Sequence, residues 1–228
     1  ASILSLPIYE SDIFMGVLPF HHTYPTTCAM ISPLSVGASV TIVEKVVGKV
    51  IVNDVRDSGG TIMIAVPVLY DKLKEAMERG LREKGKLVSG LLGSLRGISR
   101  FCRTRLGASW FGRTAFASVR RQTGLASLRL LVAGGGPLNP DTADFFDDLG
   151  WNIVQGYGMS ENGPLITTNT VKYKDNRSAG LVVKYTDLEI QDTNAEGVGE
   201  IVVRSPSLMA GYFNNPEGTS EVMTDDGF

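Results

Sequence analysis

The sequence predicts an α/β fold, a parallel sheet flanked by helices and followed by the start of a small β unit. Three observations carry that prediction. Short β-rich runs alternate with helical patterns through residues 1–175, the order that crossover connections produce. Two glycine-rich turns, at residues 134–136 and 156–158, each follow directly on an apolar run. From residue 176 onward the texture changes to short strands broken by turn residues. With 228 residues, 43% of them apolar and 20% charged, the chain can bury a substantial core.

The runs SVTIVE (residues 39–44) and TIMIAV (61–66) are rich in β-branched residues and read as strands, with a helical pattern at residues 50–57 between them. Pro67 suits the first position of the next helix, where its missing N–H has no intrahelical partner to lose. Leu69, Leu73, Ala76 and Met77 then recur at i, i+4, i+7 and i+8, one apolar face, with Lys72, Lys74 and Glu75 on the polar side and Gly80 as the expected stop. Residues 81–124 are rich in Arg, Gly, Ser and Leu without a strand pattern and read as an insertion of one or two helices. LRLLVA (128–133) is a compact buried strand leading into Gly134, Gly135 and Gly136. The helix that follows has Asn139 as N-cap, Pro140 at its first position, Asp141 in its first turn and Gly150 as its close. WNIVQ (151–155) is the next strand and delivers the chain into GYGMSENGP. Beyond it, LVVKYTDLEIQD and GEIVVRS read as strands around a turn at residues 193–197. The expected division is residues 1–175, carrying a basic helical insertion at 81–124, and residues 176–228, the beginning of a small β subdomain.

The formal net charge of −2 gives no basis for a nucleic-acid partner. Its distribution is uneven: from Arg79 to Arg121 there are eleven Lys or Arg and one acid, Glu83, so the basic run needs a local explanation. Cys28 and Cys102 are the only cysteines and form no CxxC pair, which points to a reducing, cytoplasmic setting and away from a disulfide framework or thiolate metal site. The amino-terminal stretch has no basic residue before Lys45 and does not resemble a secretory signal. Residues 13–43 are uncharged, yet Pro19, Pro25, Pro33 and a His pair argue against a membrane-spanning helix.

Open α/β sheets bind ligands just beyond the carboxyl ends of their strands, so both glycine turns are expected to face one crevice. Gly134 to Gly136 lets backbone approach a flat or anionic ligand, although the same turn serves tight packing. A dinucleotide fingerprint fails on spacing: its third glycine falls on Asn139 in the first turn and on Glu161 in the second. The second turn, Gln155-Gly156-Tyr157-Gly158-Met159-Ser160-Glu161, groups a ring, a hydroxyl and a carboxylate at a strand exit. These suit a nucleoside triphosphate: the ring stacks on a base, the hydroxyl bonds a phosphate oxygen, and the carboxylate holds Mg²⁺, a hard cation. A polar turn capped by Ser160 is the structural alternative.

QGYGMSE resembles the Tyr-Gly-x-Thr-Glu motif of the adenylate-forming superfamily, which includes acyl-CoA synthetases, luciferases and peptide-synthetase adenylation domains; Ser160 stands where Thr is usual. AGGGPL (133–138) resembles the superfamily's adenine-side motif, LPFHHTYP its aromatic-His motif, and GEIVVRSPSLMAGYFNNPEGT (199–219) its Gly-Glu and Gly-Tyr motif. Four motifs in the family order cover most of the chain. One departure is local: the usual Gly-x-Pro stretch reads Gly180-Leu181-Val182.

The resemblance implies an acyl-CoA synthetase-like central subdomain using ATP, Mg²⁺ and coenzyme A. By position, Glu161 holds Mg²⁺, Ser160 touches the α-phosphate, and Tyr157 stacks on adenine. Gly135, Gly136 and Pro137 wall the base, Gln155, Gly156 and Gly158 complete the nucleotide-binding turn, and His22 borders the acyl and thiol route. A core role for His22 is the alternative, and His21 is its neighbour. Gly199, Glu200, Gly211 and Tyr212 are expected to be structural. The resemblance also places the phosphate loop before Ala1, and the ribose-binding Asp and catalytic Lys after Phe228. A central part of a longer enzyme, inactive alone, is therefore expected; Asp225 and Asp226 precede Gly-Phe and do not match the Asp motif.

Residues 81–124 resemble the extra helical segment of long-chain acyl-CoA synthetases, which implies ATP-dependent activation of a long-chain fatty acid to an acyl adenylate and then a coenzyme A thioester. Arg and Lys interleaved with Leu87, Leu91, Leu92, Leu95, Phe101, Leu106, Trp110 and Phe111 also suit peripheral contact with the inner face of a membrane, or a solvated basic face. The other functions in view are adenylation of an aryl or amino acid and a non-catalytic lipid-surface or interaction module.

Overall fold

The computed structural model describes residues 5–224, with the side chains of Lys86 and Val88 left aside. Five parallel strands, β1 (Ile13–Gly16), β2 (Ser39–Ile42), β3 (Ile62–Ala65), β4 (Leu130–Ala133) and β5 (Asn152–Gly158), lie in the order β2-β1-β3-β4-β5. Two antiparallel strands, β6 (Leu165–Thr168) and β7 (Leu181–Val182), extend the sheet beyond β5. The chain first steps from β1 to β2 and then returns across β3, β4 and β5, so its direction reverses at β1/β3, a topological switch point. The parallel sheet was legible from the order of apolar runs; its strand β1 and its antiparallel edge were not. A separate two-stranded ladder pairs β8 (Asp187–Gln191) with β9 (Glu200–Arg204).

Alternate residues of each strand point to opposite faces, and here both faces are apolar, as a buried parallel strand requires. On one face Met15, Met63, Leu131 and Ile153 pack against α2 (Gly48–Ser58), α3 (Pro67–Glu83) and α7 (Pro140–Asp148). On the other, Phe14, Ile62, Ile64, Leu130, Val132 and Val154 meet α1, a helical run over residues 23–35 with a π-helical middle, Thr26–Ile31. Among the described residues this second face has the thinner cover. The difference creates the cavity described below.

Two helix boundaries depart from expectation. α3 continues through Gly80 to Glu83, because a glycine inside a helix costs only about 1 kcal/mol and Glu78 pairs with Arg82 across it at 3.7 Å. Residues 81–124 contain three further helices rather than one or two: α4 (Lys86–Leu106), α5 (Trp110–Ala115) and α6 (Ala117–Gln122). Gly107, at φ 64°, ends α4 in the left-handed conformation that glycine adopts most readily. The final helix, α8, is Pro216–Val222.

Much of the basic run is answered within the fold. Arg96, Arg100 and Arg103 recur at i, i+4 and i+7 on α4 and face Asp144, Asp147 and Asp148 in the last turns of α7. Carboxylates there sit against the negative end of the helix dipole, and the guanidinium groups neutralise them. Leu92 and Leu95 turn inward on the same helix, while Leu87, Leu91, Phe101, Leu106 and Trp110 remain exposed. No helix among the described residues is long and apolar enough to cross a membrane.

At the amino ends of the strands, buried Asp12 accepts from Arg129 Nε at 2.8 Å, Thr61 Oγ1 at 2.7 Å and the Tyr9 amide at 2.8 Å. Burial by itself pushes the Asp12 carboxyl up, and the bonds from Arg129, Thr61 and Tyr9 outweigh it, holding the carboxyl below its ordinary value. A depressed carboxylate stabilises the fold fully above its unfolded pKa and loses that contribution as pH falls toward the folded value. Thermal stability is therefore expected to drop as pH is lowered below about 4. Asp12→Asn should flatten that part of the acid limb in a calorimetric pH series.

Candidate active site

The glycine turns after β4 and within the end of β5 open on one crevice, as the strand-end argument predicts. It continues inward as a cavity of about 440 Å³ between the sheet and α1. Gly134, Gly135, Gly156, Tyr157, Gly158 and Ser160 line the mouth. The floor follows from strand periodicity: Ile62, Ile64 and Val66, then Leu130, Val132 and Gly134, are i, i+2, i+4 sets on the face turned toward α1. From Leu130 to Gly135 the floor is roughly 16 Å long at 3.3 Å per residue. Cys28 closes part of the opposite wall, and burial pushes its thiol up to about 12, which keeps it protonated and unreactive.

Tyr24 roofs the junction between crevice and cavity. Its hydroxyl donates to the Val132 carbonyl at 3.4 Å, and a Cβ on Gly134 would fall 2.7 Å from its ring. From the other side of the sheet Tyr70 donates to the same carbonyl at 3.1 Å, fixing this part of β4. Gly135 has φ 79° and turns the chain toward α7, whose Asn139 cap accepts from the Asp141 amide at 2.9 Å. Gly158 has a different reason: a Cβ would lie 1.9 Å from the Pro164 carbonyl oxygen, so only glycine lets β5 meet the returning strand.

The sequence-selected residues fall into three groups. Gly135, Gly156, Tyr157, Gly158, Ser160 and His22 line the cavity or its mouth. His22 is exposed at the start of α1 with its ring 4.2 Å from that of His21, so it is not a core histidine. Gly136 and Pro137 are exposed on the rim beside them. Gln155 stands behind the mouth and joins the turns: its Oε1 accepts from the Leu138 amide at 3.2 Å, and its Nε2 donates to the Ser178 carbonyl at 2.9 Å.

Ser160 does not cap the short 3₁₀ turn Ser160–Asn162; its hydroxyl lies 3.1 Å from Thr23 Oγ1. That bond links the aromatic-His segment to the second glycine turn, and sequence reasoning missed Thr23 although it adjoins His22. Glu161 is half-buried, and Tyr212 donates to its Oε1 at 2.8 Å. Tyr212, expected to be structural, holds the carboxylate of Glu161. The hydrogen bond to Glu161 raises the Tyr212 phenol pKa. The same segment is secured by the Met209 amide to the Glu161 carbonyl at 2.7 Å and by Ser205 and Ser207 on Asn162. The signal for Tyr212 was its place in the last motif.

Among the described residues no three His, Cys, Asp or Glu gather as a metal cluster. The arrangement is an open, glycine-walled mouth with a ring and a hydroxyl, joined to an apolar pocket, and Glu161 follows Ser160 next to the lining without being part of it. Its mouth suits a planar ring carrying an anionic group, and its interior an apolar group.

Comparisons with known proteins agree with that geometry. The AMP-binding enzyme family matches residues 2–213. The chain is 30% identical over 251 residues to long chain acyl-CoA synthetase 8 of Arabidopsis thaliana, covering 95% of this chain and 33% of that protein. It is 39% identical over 115 residues to a feruloyl-CoA synthase of an Amycolatopsis species, covering 47% of this chain and 23% of the relative. The crystal structure of the anthranilate CoA ligase AuaEII superposes with a TM-score of 0.68 at 19% identity, over 99% of this chain and 40% of that one. The chain thus spans about a third or less of the curated relatives it matches. Its fold is that of acyl-CoA synthetase-like ligases, and the chain belongs to the AMP-binding enzyme family.

Proposed function

We propose that the full-length protein is an adenylate-forming ligase that activates a long-chain fatty acid with ATP and transfers the acyl group to coenzyme A. The observation that carries the acid is the cavity, whose floor is apolar along the whole length of β3 and β4 and whose mouth is the glycine crevice. The acid carboxylate oxygen bonds to the α-phosphorus of ATP as the bond to the bridging oxygen breaks, giving acyl adenylate and pyrophosphate. The coenzyme A sulfur, having lost its proton, then attacks the acyl carbon and AMP leaves.

The chain's share is positioning and charge placement. Tyr157 stacks on adenine, with Gly135, Gly136 and Pro137 as the wall of the base site; Gln155 keeps the two turns in register, and Gly156 and Gly158 hold the second turn's backbone. Ser160 donates to an α-phosphate oxygen. His22 borders the route from the mouth to the cavity. Mg²⁺ fits a single carboxylate here, because it takes one or two carboxylates together with substrate phosphates; Glu161 would hold it, with Oε1 accepting from Tyr212. When bound, the ion neutralises phosphate charge.

A second reading, an aryl acid, is favoured by the higher identity to the feruloyl-CoA synthase. Val132 separates the two because it lies midway along the cavity floor and faces the space. Val132→Phe is expected to lower exchange with long-chain acids at least tenfold, about 1.4 kcal/mol, while sparing short acids. Acid-dependent ATP–pyrophosphate exchange and thioester formation, measured with long-chain, short-chain, aryl and amino acids, check it. Wild-type activity confined to aryl acids would overturn the fatty-acid assignment and leave the ligase.

A further inference from the structure

A second pocket, of about 240 Å³, lies at the opposite end of β4 and has the chemistry of an anion site. Arg113, Arg120, Arg121 and Arg129 line it with Ser127, and no carboxylate does. Leu128 and Arg129 precede β4, and the glycine crevice follows it, so roughly 17 Å of strand separates the two sites.

The four arginines are not equivalent. Arg129 is already matched by Asp12. Arg120 is 4% exposed, with its guanidinium carbon 4.4 Å above the Trp151 ring, and its Nη2 donates to the Ala126 and Leu128 carbonyls at 3.2 and 3.0 Å. Its Nη1 is buried without a hydrogen-bond partner among the described residues. Arg113 and Arg121 are exposed, and no carboxylate among the described residues pairs with either. Three positive charges therefore converge without a counter-charge, in contrast to Arg96, Arg100 and Arg103 of the same insertion. Burial and the proximity of Arg113 push the Arg120 guanidinium down to about 10, the response of a cation that lacks a compensating anion.

We propose that this pocket binds a phosphate group, supplied either by free phosphate or by the head group of an anionic lipid. The guanidinium forks and the Ser127 hydroxyl are donors only or donors by choice, the set that a tetrahedral oxyanion accepts from. Trp110 is exposed one turn before Arg113 on α5 and gives a lipid source a place for its apolar part. The site is independent of the ligase assignment, and only the use of ATP to fill the glycine crevice in its test rests on that reading.

The test uses the full-length protein with ATP saturating, so that the glycine crevice is filled, and titrates inorganic phosphate by calorimetry. Wild-type protein is expected to bind it, and the R113Q/R121Q double variant to bind at least tenfold more weakly, one charge-assisted hydrogen bond being worth roughly that factor. Both substituted side chains are exposed, and circular dichroism verifies folding; R113K/R121K, which keeps the charges, should restore binding. In the second arm, phosphatidylcholine vesicles containing phosphatidic acid are sedimented with each protein. Retention of wild type alone, without phosphate binding in solution, supports the site and identifies the head group as the source. Equal phosphate binding by wild type and double variant, or no phosphate binding together with equal vesicle retention, overturns it.

Discussion

Glu161→Ala in the full-length protein is expected to lower acid-dependent ATP–pyrophosphate exchange on the order of 10³-fold, about 4 kcal/mol of transition-state stabilisation. The substitution removes the one carboxylate of the QGYGMSE turn, and no other acid among the described residues gathers with it into a metal cluster. Its effect should be chemical rather than structural. Glu161 is half-exposed, its backbone carbonyl keeps the bond from the Met209 amide, and the side chain's protein partner is the exposed Tyr212 hydroxyl. The melting temperature should therefore move by only a few degrees while exchange collapses. Unchanged exchange in a folded variant would remove Glu161 from the metal role and leave the family assignment standing.

Asp148→Ala is expected to destabilise the fold by about 3–5 kcal/mol, the cost of removing one partner from a buried ion cluster. Its carboxylate is 1% exposed and accepts from Arg100 Nη2 at 2.8 Å, Arg103 Nη2 at 3.0 Å and Arg96 Nη2 at 3.4 Å. Those bonds clamp the inserted helix α4 to the end of α7. Arg96 Nε and Arg103 Nε are already buried without hydrogen-bond partners among the described residues, so loss of Asp148 strips the cluster further. The exposed Arg204–Asp187 pair, at 3.1 Å on the β8–β9 ladder, is the comparison. Asp187→Ala should cost less than about 1 kcal/mol. Equal costs in chemical denaturation would show that the insertion is not held by its charges.

The parallel sheet and its two strand-end glycine turns were legible because local signals act within a few residues. Apolar runs bounded by glycine, Pro67 and Pro140 at first helical turns, and the Asn139 cap each have a local cause. Where a local signal was weak, expectation failed. Gly80 costs a helix about 1 kcal/mol, too little to stop α3, and the seating of α4 is tied to acids of α7 that lie some fifty residues away, the separation of Arg96 from Asp148 being 52.

The sequence by itself determined the fold class, the family and the residues of the glycine crevice, because the QGYGMSE and AGGGPL motifs carry their strand-end context with them. Tertiary structure alone decided which partners those residues have. The apolar cavity exists because α1 gives one face of the sheet a thinner cover than α2, α3 and α7 give the other. Tyr212 meets Glu161 across 51 residues, and Thr23 meets Ser160 across 137. The basic run divides into arginines neutralised by α7 and the arginines Arg113, Arg120 and Arg121 of the second pocket, which pair with no carboxylate among the described residues. These outcomes depend on packing between elements distant in the chain, and no periodicity or motif within a short window encodes them.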